Sequence, residues 1–231
     1  MPSLGVPETN EPTPYIRSNK DARRLRRSLL SAAAFTALLW LIAILEFACG
    51  AGLAQYGIYP RHLRGLVGIL AGPLIHTSWA HLAANTGPVF ILGTALLYGY
   101  PRSARLVIPA VYLATGMLVW LFGRESLHLG ASGLAFGVMF FICTVGLLQR
   151  YKKAVALSLI VFLLYGGMLG GLFPKDPGIS FESHLAGALV GIVLGILLQR
   201  RDPPPPRKRY SWEDEPPADE TDGNPPPPTI H

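Results

Sequence analysis

Gly130-Ala131-Ser132-Gly133, running on into the apolar Leu134-Ala135-Phe136-Gly137-Val138-Met139, decides how this chain is read. A hydroxyl between glycines, at the head of a helix that must sit in lipid, is expensive. A buried polar group costs several kcal/mol unless another group answers it. Two other apolar segments hold groups that can: Ser183-His184-Leu185-Ala186-Gly187 and His81-Leu82-Ala83-Ala84-Asn85.

Composition places all three segments in a membrane. Half of the 231 residues are hydrophobic, 15% are charged and mean hydropathy is positive, which excludes an ordinary soluble domain. The net charge of +6 falls at the ends of apolar runs, not on one face. That is the chemistry of membrane orientation, and no nucleic-acid partner is expected. Cys49 and Cys143 both lie in apolar context and make no disulfide framework.

Six runs have span length: Ser28 to Leu45, Trp79 to Tyr98, Leu106 to Phe122, Ser132 to Leu148, Ala154 to about Leu172, and about Ser183 to Gln199. The first follows a basic block, as a signal peptide would, but it is span-long, and Glu46 spoils a lipoprotein cleavage site before Cys49. It is read as a retained helix. The ten residues Leu66 to Ile75 cannot cross about 30 Å of hydrocarbon and should lie against protein or in the interface. Expected domains are a basic cytoplasmic segment (1–27), a six-helix all-α membrane bundle with a short membrane-associated first loop (28–200), and a tail (201–231). From Asp202 onward the tail holds ten prolines and seven acidic residues, so it cannot form a core. It is read as solvated, with docking of its proline runs onto a cytoplasmic partner as the alternative.

Six crossings from an inside N-terminus put sixteen Lys and Arg on one side and four (Arg61, Arg64, Arg124, Lys175) on the other. Both termini are therefore expected in the cytoplasm. With the basic residue at each helix end as zero and about 1.5 Å of rise per residue, Ser132 lies about 27 Å up, His184 about 24 Å, Asn85 about 26 Å and His81 about 32 Å. Three helices thus bring polar side chains to one layer just below the outer surface.

The chemistry fits that layer. A serine hydroxyl needs a base to become a nucleophile, and neutral His serves near pH 7. An Asn amide, a His N–H and a helix-start backbone N–H can hold the oxyanion. Ser132 as nucleophile, His184 as base then acid, and His81 with Asn85 as oxyanion donors form a complete set. Glu46 is read as an interfacial carboxylate, which leaves a dyad. Gly133 with Gly137, and Gly187 with Gly191 and Gly195, give the fourth and sixth spans small-residue seams for close approach. Phe136 lies one turn below Ser132, where its ring could sit beneath an imidazole.

These segments resemble the rhomboid family of intramembrane serine proteases. Gly130-Ala131-Ser132-Gly133 is similar to its Gly-x-Ser-Gly motif, and His184 with Gly187 and Gly191 to its sixth-helix His. His76-Thr77-Ser78-Trp79-Ala80-His81-Leu82-Ala83-Ala84-Asn85 resembles its second-helix His-rich segment, and Phe136 matches an aromatic that supports the catalytic His. The resemblance covers about residues 28–200. It implies no metal and no cofactor. It implies transmembrane protein substrates cut near the outer face, and a multi-pass protein of the bacterial plasma membrane. The family's first loop often carries a Trp-Arg pair; none lies between residues 50 and 75, and Arg61 or Arg64 is expected to substitute. The loop at 173–182 is a plausible gate. The competing readings are an inactive relative that binds transmembrane clients, and a proton relay or transporter. The intact Ser132 and His184 argue against the first. The lack of inverted repeats and mid-membrane acids argues against the second.

Overall fold

The computed structural model describes residues 14–174 and 178–203. The leader before Pro14, residues 175–177 of the loop expected to act as a gate, and the tail from Pro204 onward lie outside the described residues. Seven α-helices, joined by short 3₁₀ turns, make up the described chain: α1 (Pro14–Cys49), α2 (Val67–Ala71), α3 (Trp79–Gly99), α4 (Pro101–Phe122), α5 (Ser132–Gln149), α6 (Lys152–Tyr165) and α7 (Phe181–Leu198). Among the described residues there is no β-strand, only an isolated bridge between Ile58 and His128. Six helices are long and apolar enough to cross a membrane, α6 together with the 3₁₀ turn that follows it counting as one.

Local sequence explains where the elements begin and end. No Gly or Pro interrupts Tyr15 to Cys49, so α1 extends well before the expected start at Ser28. At 36 residues it is about 54 Å long, so its basic first turns project beyond the hydrocarbon. Pro14 opens it, where a missing N–H costs nothing, and Gly50 follows it in the left-handed region (φ 62). The fifth span of the sequence reading, Ala154 to about Leu172, changes character partway. Its α-helix stops at Tyr165 and the glycine-rich Gly166–Leu172 winds as 3₁₀.

The first loop lies against the bundle. Its Ile58 exchanges backbone hydrogen bonds with His128 (3.1 and 2.9 Å), and the short α2 packs on α4. Leu63, Val67 and Leu70 point outward, an apolar face suited to lipid. Arg61 does the tying: its N–H donates to Trp120 O (2.9 Å) and its guanidinium to Gly123 O (2.8 Å), while the Trp120 indole donates to His62 O (2.9 Å). Arg64 lies over the Tyr59 ring instead. Glu46 accepts the Leu53 N–H at 2.6 Å and so caps the turn after α1.

α5 is the central span, with Phe136, Phe141 and Ile142 buried against Leu92 and Leu96 of α3 and Val107 and Val111 of α4. In lipid, pairing helices gains little hydrophobic free energy, so close packing must supply the stability. The tightest pairing is α5 with α7. A methyl at Gly187 would collide with the Gly133 carbonyl, and one at Gly191 with the Gly137 carbonyl, so backbone rests on backbone along two turns. At the far end of the bundle Asp202 accepts the N–H groups of Arg102 (3.0 Å) and Ser103 (2.8 Å), capping α4 from a hundred residues away. The sequence reading had assigned Asp202 to the tail.

Candidate functional site

The turn before α5 sets the position of Ser132. Gly130 has φ +101, in the left-handed region, and donates its N–H to Gly72 O (2.9 Å). A Cβ there would lie 2.7 Å from Cε1 and Nε2 of His81, so the glycine serves both the backbone turn and the imidazole beside it. Ser132 is the first residue of α5 and is half-buried.

The glycine contacts of α5 and α7 carry His184 to Ser132. The His184 Nε2 lies 2.8 Å from Ser132 Oγ. The other ring nitrogen, Nδ1, lies 2.8 Å from the carbonyl oxygen of Gly171. A carbonyl can only accept, so Nδ1 carries the hydrogen; in the neutral ring Nε2 is then the lone-pair nitrogen aimed at the hydroxyl. Phe136 stacks on the imidazole with ring centroids 4.3 Å apart and planes 9° apart. His184 is 7% exposed, so ring, phenyl and carbonyl fix its orientation together.

His81 and Asn85 project from the first turns of α3, which Ser78 caps by accepting the His81 N–H (3.1 Å). His81 lies with its Cε1–Nε2 edge on Gly130, while its Nδ1 is 3.2 Å from the Thr77 hydroxyl. Asn85 is buried and its amide donates to His81 O (3.0 Å), one turn back on its own helix. The amide holds a second N–H. Gly133 is sandwiched between Thr115 and the Ser183 carbonyl. The structure thus brings Ser132 and Phe136 each into contact with His184 and sets His81 against Gly130. Asn85 sits a turn below His81.

Two further histidines share this end of the bundle. His128, 1% exposed, accepts from Ser180 Oγ at Nδ1 (2.6 Å) and donates from Nε2 to Arg124 O (3.0 Å). It binds the loop before α5 to the cap of α7, and burial pushes its pKa down. His76, edge-on to His81 at 5.1 Å, is pushed down to about 4 by burial, helped by that neighbouring ring. Sequence reasoning missed Gly171, which contributes only a backbone oxygen, and His128. Arg124 and Glu182 form an ion pair (3.6 Å) beside them at the start of α7.

The Rhomboid domain family matches residues 63–201. An uncharacterized protein of Mycobacterium bovis is 36% identical over 174 residues, covering 71% of this chain and 72% of the relative. An uncharacterized protein of Mycobacterium leprae is 31% identical over 206 residues, covering 84% and 81%. RHOMBOID-like protein 2 of Arabidopsis thaliana is 28% identical over 133 residues, covering 54% of this chain and 39% of its own length. The family match takes in the segments that carry His81, Asn85, Ser132 and His184, together with all but the first of the six long apolar helices. This multi-pass membrane protein belongs to the rhomboid family.

Proposed function

We propose that the protein is an intramembrane serine endopeptidase that cuts transmembrane segments of other membrane proteins by a Ser132–His184 dyad. The observation that carries this reading is the 2.8 Å approach of His184 Nε2 to Ser132 Oγ, with Nδ1 held on Gly171 O. Ser132 Oγ attacks the peptide carbonyl carbon as its proton passes to Nε2. The resulting oxyanion is held by the second N–H of Asn85, by the backbone N–H of Ser132 and by His81 Nε2. With Thr77 donating to His81 Nδ1, Nε2–H is the tautomer that can serve. His184 then returns the proton to the leaving amine, giving an acyl-enzyme. Water activated by the same nitrogen hydrolyses it. Ser132 and His81 are only half-buried and Thr77 to Ala80 are exposed, which supports water reaching the site from that end.

The Lys and Arg distribution supports an orientation with both termini cytoplasmic and the site near the outer face of the plasma membrane. Neither the Pro-rich tail nor any cofactor enters this scheme. Incubation of the purified chain with a model transmembrane substrate tests it, beside Ser132→Ala and His184→Ala. Each variant should abolish cleavage while remaining folded, and the double variant should be no worse than either. Wild-type turnover by Ser132→Ala would overturn the dyad. A folded wild type that binds the substrate yet never cuts it would make the protein an inactive client binder.

A further inference from the structure

At the end of the bundle opposite Ser132, a cavity of about 570 Å³ opens between α1 and α4. Five cations line it: Lys20, Arg23, Arg24 and Arg27 of α1, and Arg105 of α4. No acidic side chain shares the lining, and among the described residues none of the five forms an ion pair. Arg24 lies over the Tyr98 ring at 5.4 Å, and its Nε is shut off from solvent with no hydrogen-bond partner among the described residues. Five like charges around one hollow repel one another, and a shielded, unanswered guanidinium nitrogen adds to that cost.

The hollow does not end in polar groups. Ser31, Leu97 and Ile108 at its floor also line a second cavity, of about 230 Å³, which runs inward between α1, α3, α4 and α5. That second cavity is walled by Phe35, Leu92, Leu96, Val138 and their neighbours, and it reaches Leu134 and Ala135, the first turn of α5. A cationic mouth opening onto an apolar throat matches a molecule with an anionic head and a hydrocarbon tail. Orientation by positive charge needs cations at helix ends, but it needs neither a shared cavity nor a throat.

We propose that this crevice is a binding site for an anionic phospholipid. The phosphate sits among Arg24, Arg27 and Arg105, and one acyl chain runs down the throat toward the first turn of α5. Guanidinium groups suit phosphate because their forked N–H donors match its oxygens. Basic pockets between helices at the membrane surface take such headgroups. The inference is independent of the dyad, because no residue of the mouth or throat acts in the proposed chemistry.

The test uses the full purified chain in neutral detergent micelles and counts retained lipid by native mass spectrometry. Dioleoylphosphatidylglycerol, dioleoylphosphatidylcholine and inorganic phosphate are titrated separately, with thermal unfolding followed alongside. One phosphatidylglycerol per chain should bind at least tenfold more tightly than phosphatidylcholine and raise the unfolding temperature. The triple variant Arg24→Gln, Arg27→Gln, Arg105→Gln should lose that preference, and the corresponding triple Lys variant should retain most of it. Gly93→Leu, which fills the throat beside Ala32, should weaken phosphatidylglycerol and leave any response to inorganic phosphate unchanged. Equal binding of the two lipids, protection by inorganic phosphate that matches the lipid, or unchanged retention in the Gln variant would overturn the proposal. Binding that appears only when residues after Pro203 are removed would also overturn it, by making the chain's own acidic tail the occupant.

Discussion

His184 donates from Nδ1 to the carbonyl oxygen of Gly171 at 2.8 Å, across to the 3₁₀ turn that follows α6. In a triad a carboxylate holds the base in its working tautomer. Here a main-chain oxygen sits at that place, and the ring is braced from below by Phe136. A carbonyl orients as a carboxylate does but carries no full charge to stabilise the imidazolium.

Gly171 is therefore the position where a single methyl should do most harm without unfolding the protein. A Cβ there would lie 2.8 Å from His184 Nδ1 and 3.5 Å from Phe136 Cζ, in a ring that cannot retreat. Gly171→Ala is expected to slow labelling of Ser132 by a serine-directed covalent probe about a hundredfold, the scale of a 1 Å misplacement. Its unfolding temperature should fall by only a few degrees, since the turn is exposed on its other side and can yield there.

Asn85 tests the division of labour. An oxyanion donor acts mainly in the transition state, so Asn85→Ala should lower kcat with little change in KM. The expected loss is about 3 kcal/mol, or roughly a hundredfold, softened by the donors that overlap it. The covalent probe should still label Ser132, more slowly. A rise in KM alone would make Asn85 a packing residue, its amide serving only His81 O.

The glycine seam makes a stability prediction with an internal control. Gly187→Val forces a branched side chain into the Gly133 carbonyl and should destabilise by about 1–3 kcal/mol, with activity lost in parallel. Gly167→Ala, in the exposed 3₁₀ turn with open space around it, should change neither unfolding temperature nor turnover.

Acid should loosen the loop before α3. His76 has a folded pKa of about 4, below the ordinary 6.5, so the unfolded chain takes up its proton first. The stability this neutral ring provides is whole above about 6.5 and declines as pH falls toward 4. His128 is shifted the same way. Unfolding temperature measured from pH 7 to pH 4.5 should fall, and His76→Phe should flatten part of that slope.

Apolar run lengths made six spans legible in the sequence, and glycine spacing pointed to the approach of α5 and α7. The pairing of Ser132 with His184 followed from residue type and shared depth. Depth alone did not sort the layer, however. His128 shares the end of the bundle with His184 but is consumed by Ser180 and Arg124 O, and only coordinates distinguish a bonded rivet from a base. Gly171 was illegible because a backbone oxygen has no residue type. The Asp202 cap joins residues a hundred apart, so no local pattern announces it. The early start of α1 was present in the uninterrupted run from Tyr15, but hydropathy measures lipid crossing and not helix length.

At Gly133 with Gly187 and at Gly137 with Gly191, α5 and α7 meet backbone to backbone, with no side chain at either point that could swing aside. Ser132 and His184, the proposed nucleophile and base, thus ride on one rigid plank. Under the proposed function, a polypeptide that wedged those two helices apart would dismantle the pairing of Ser132 with His184. A substrate would therefore be expected to reach Ser132 along another border, such as the first loop or the outer flank of α3 and α6. If the proposed dyad is the working site, substrate entry and dyad assembly would then be uncoupled: the door could open while the blade stays set.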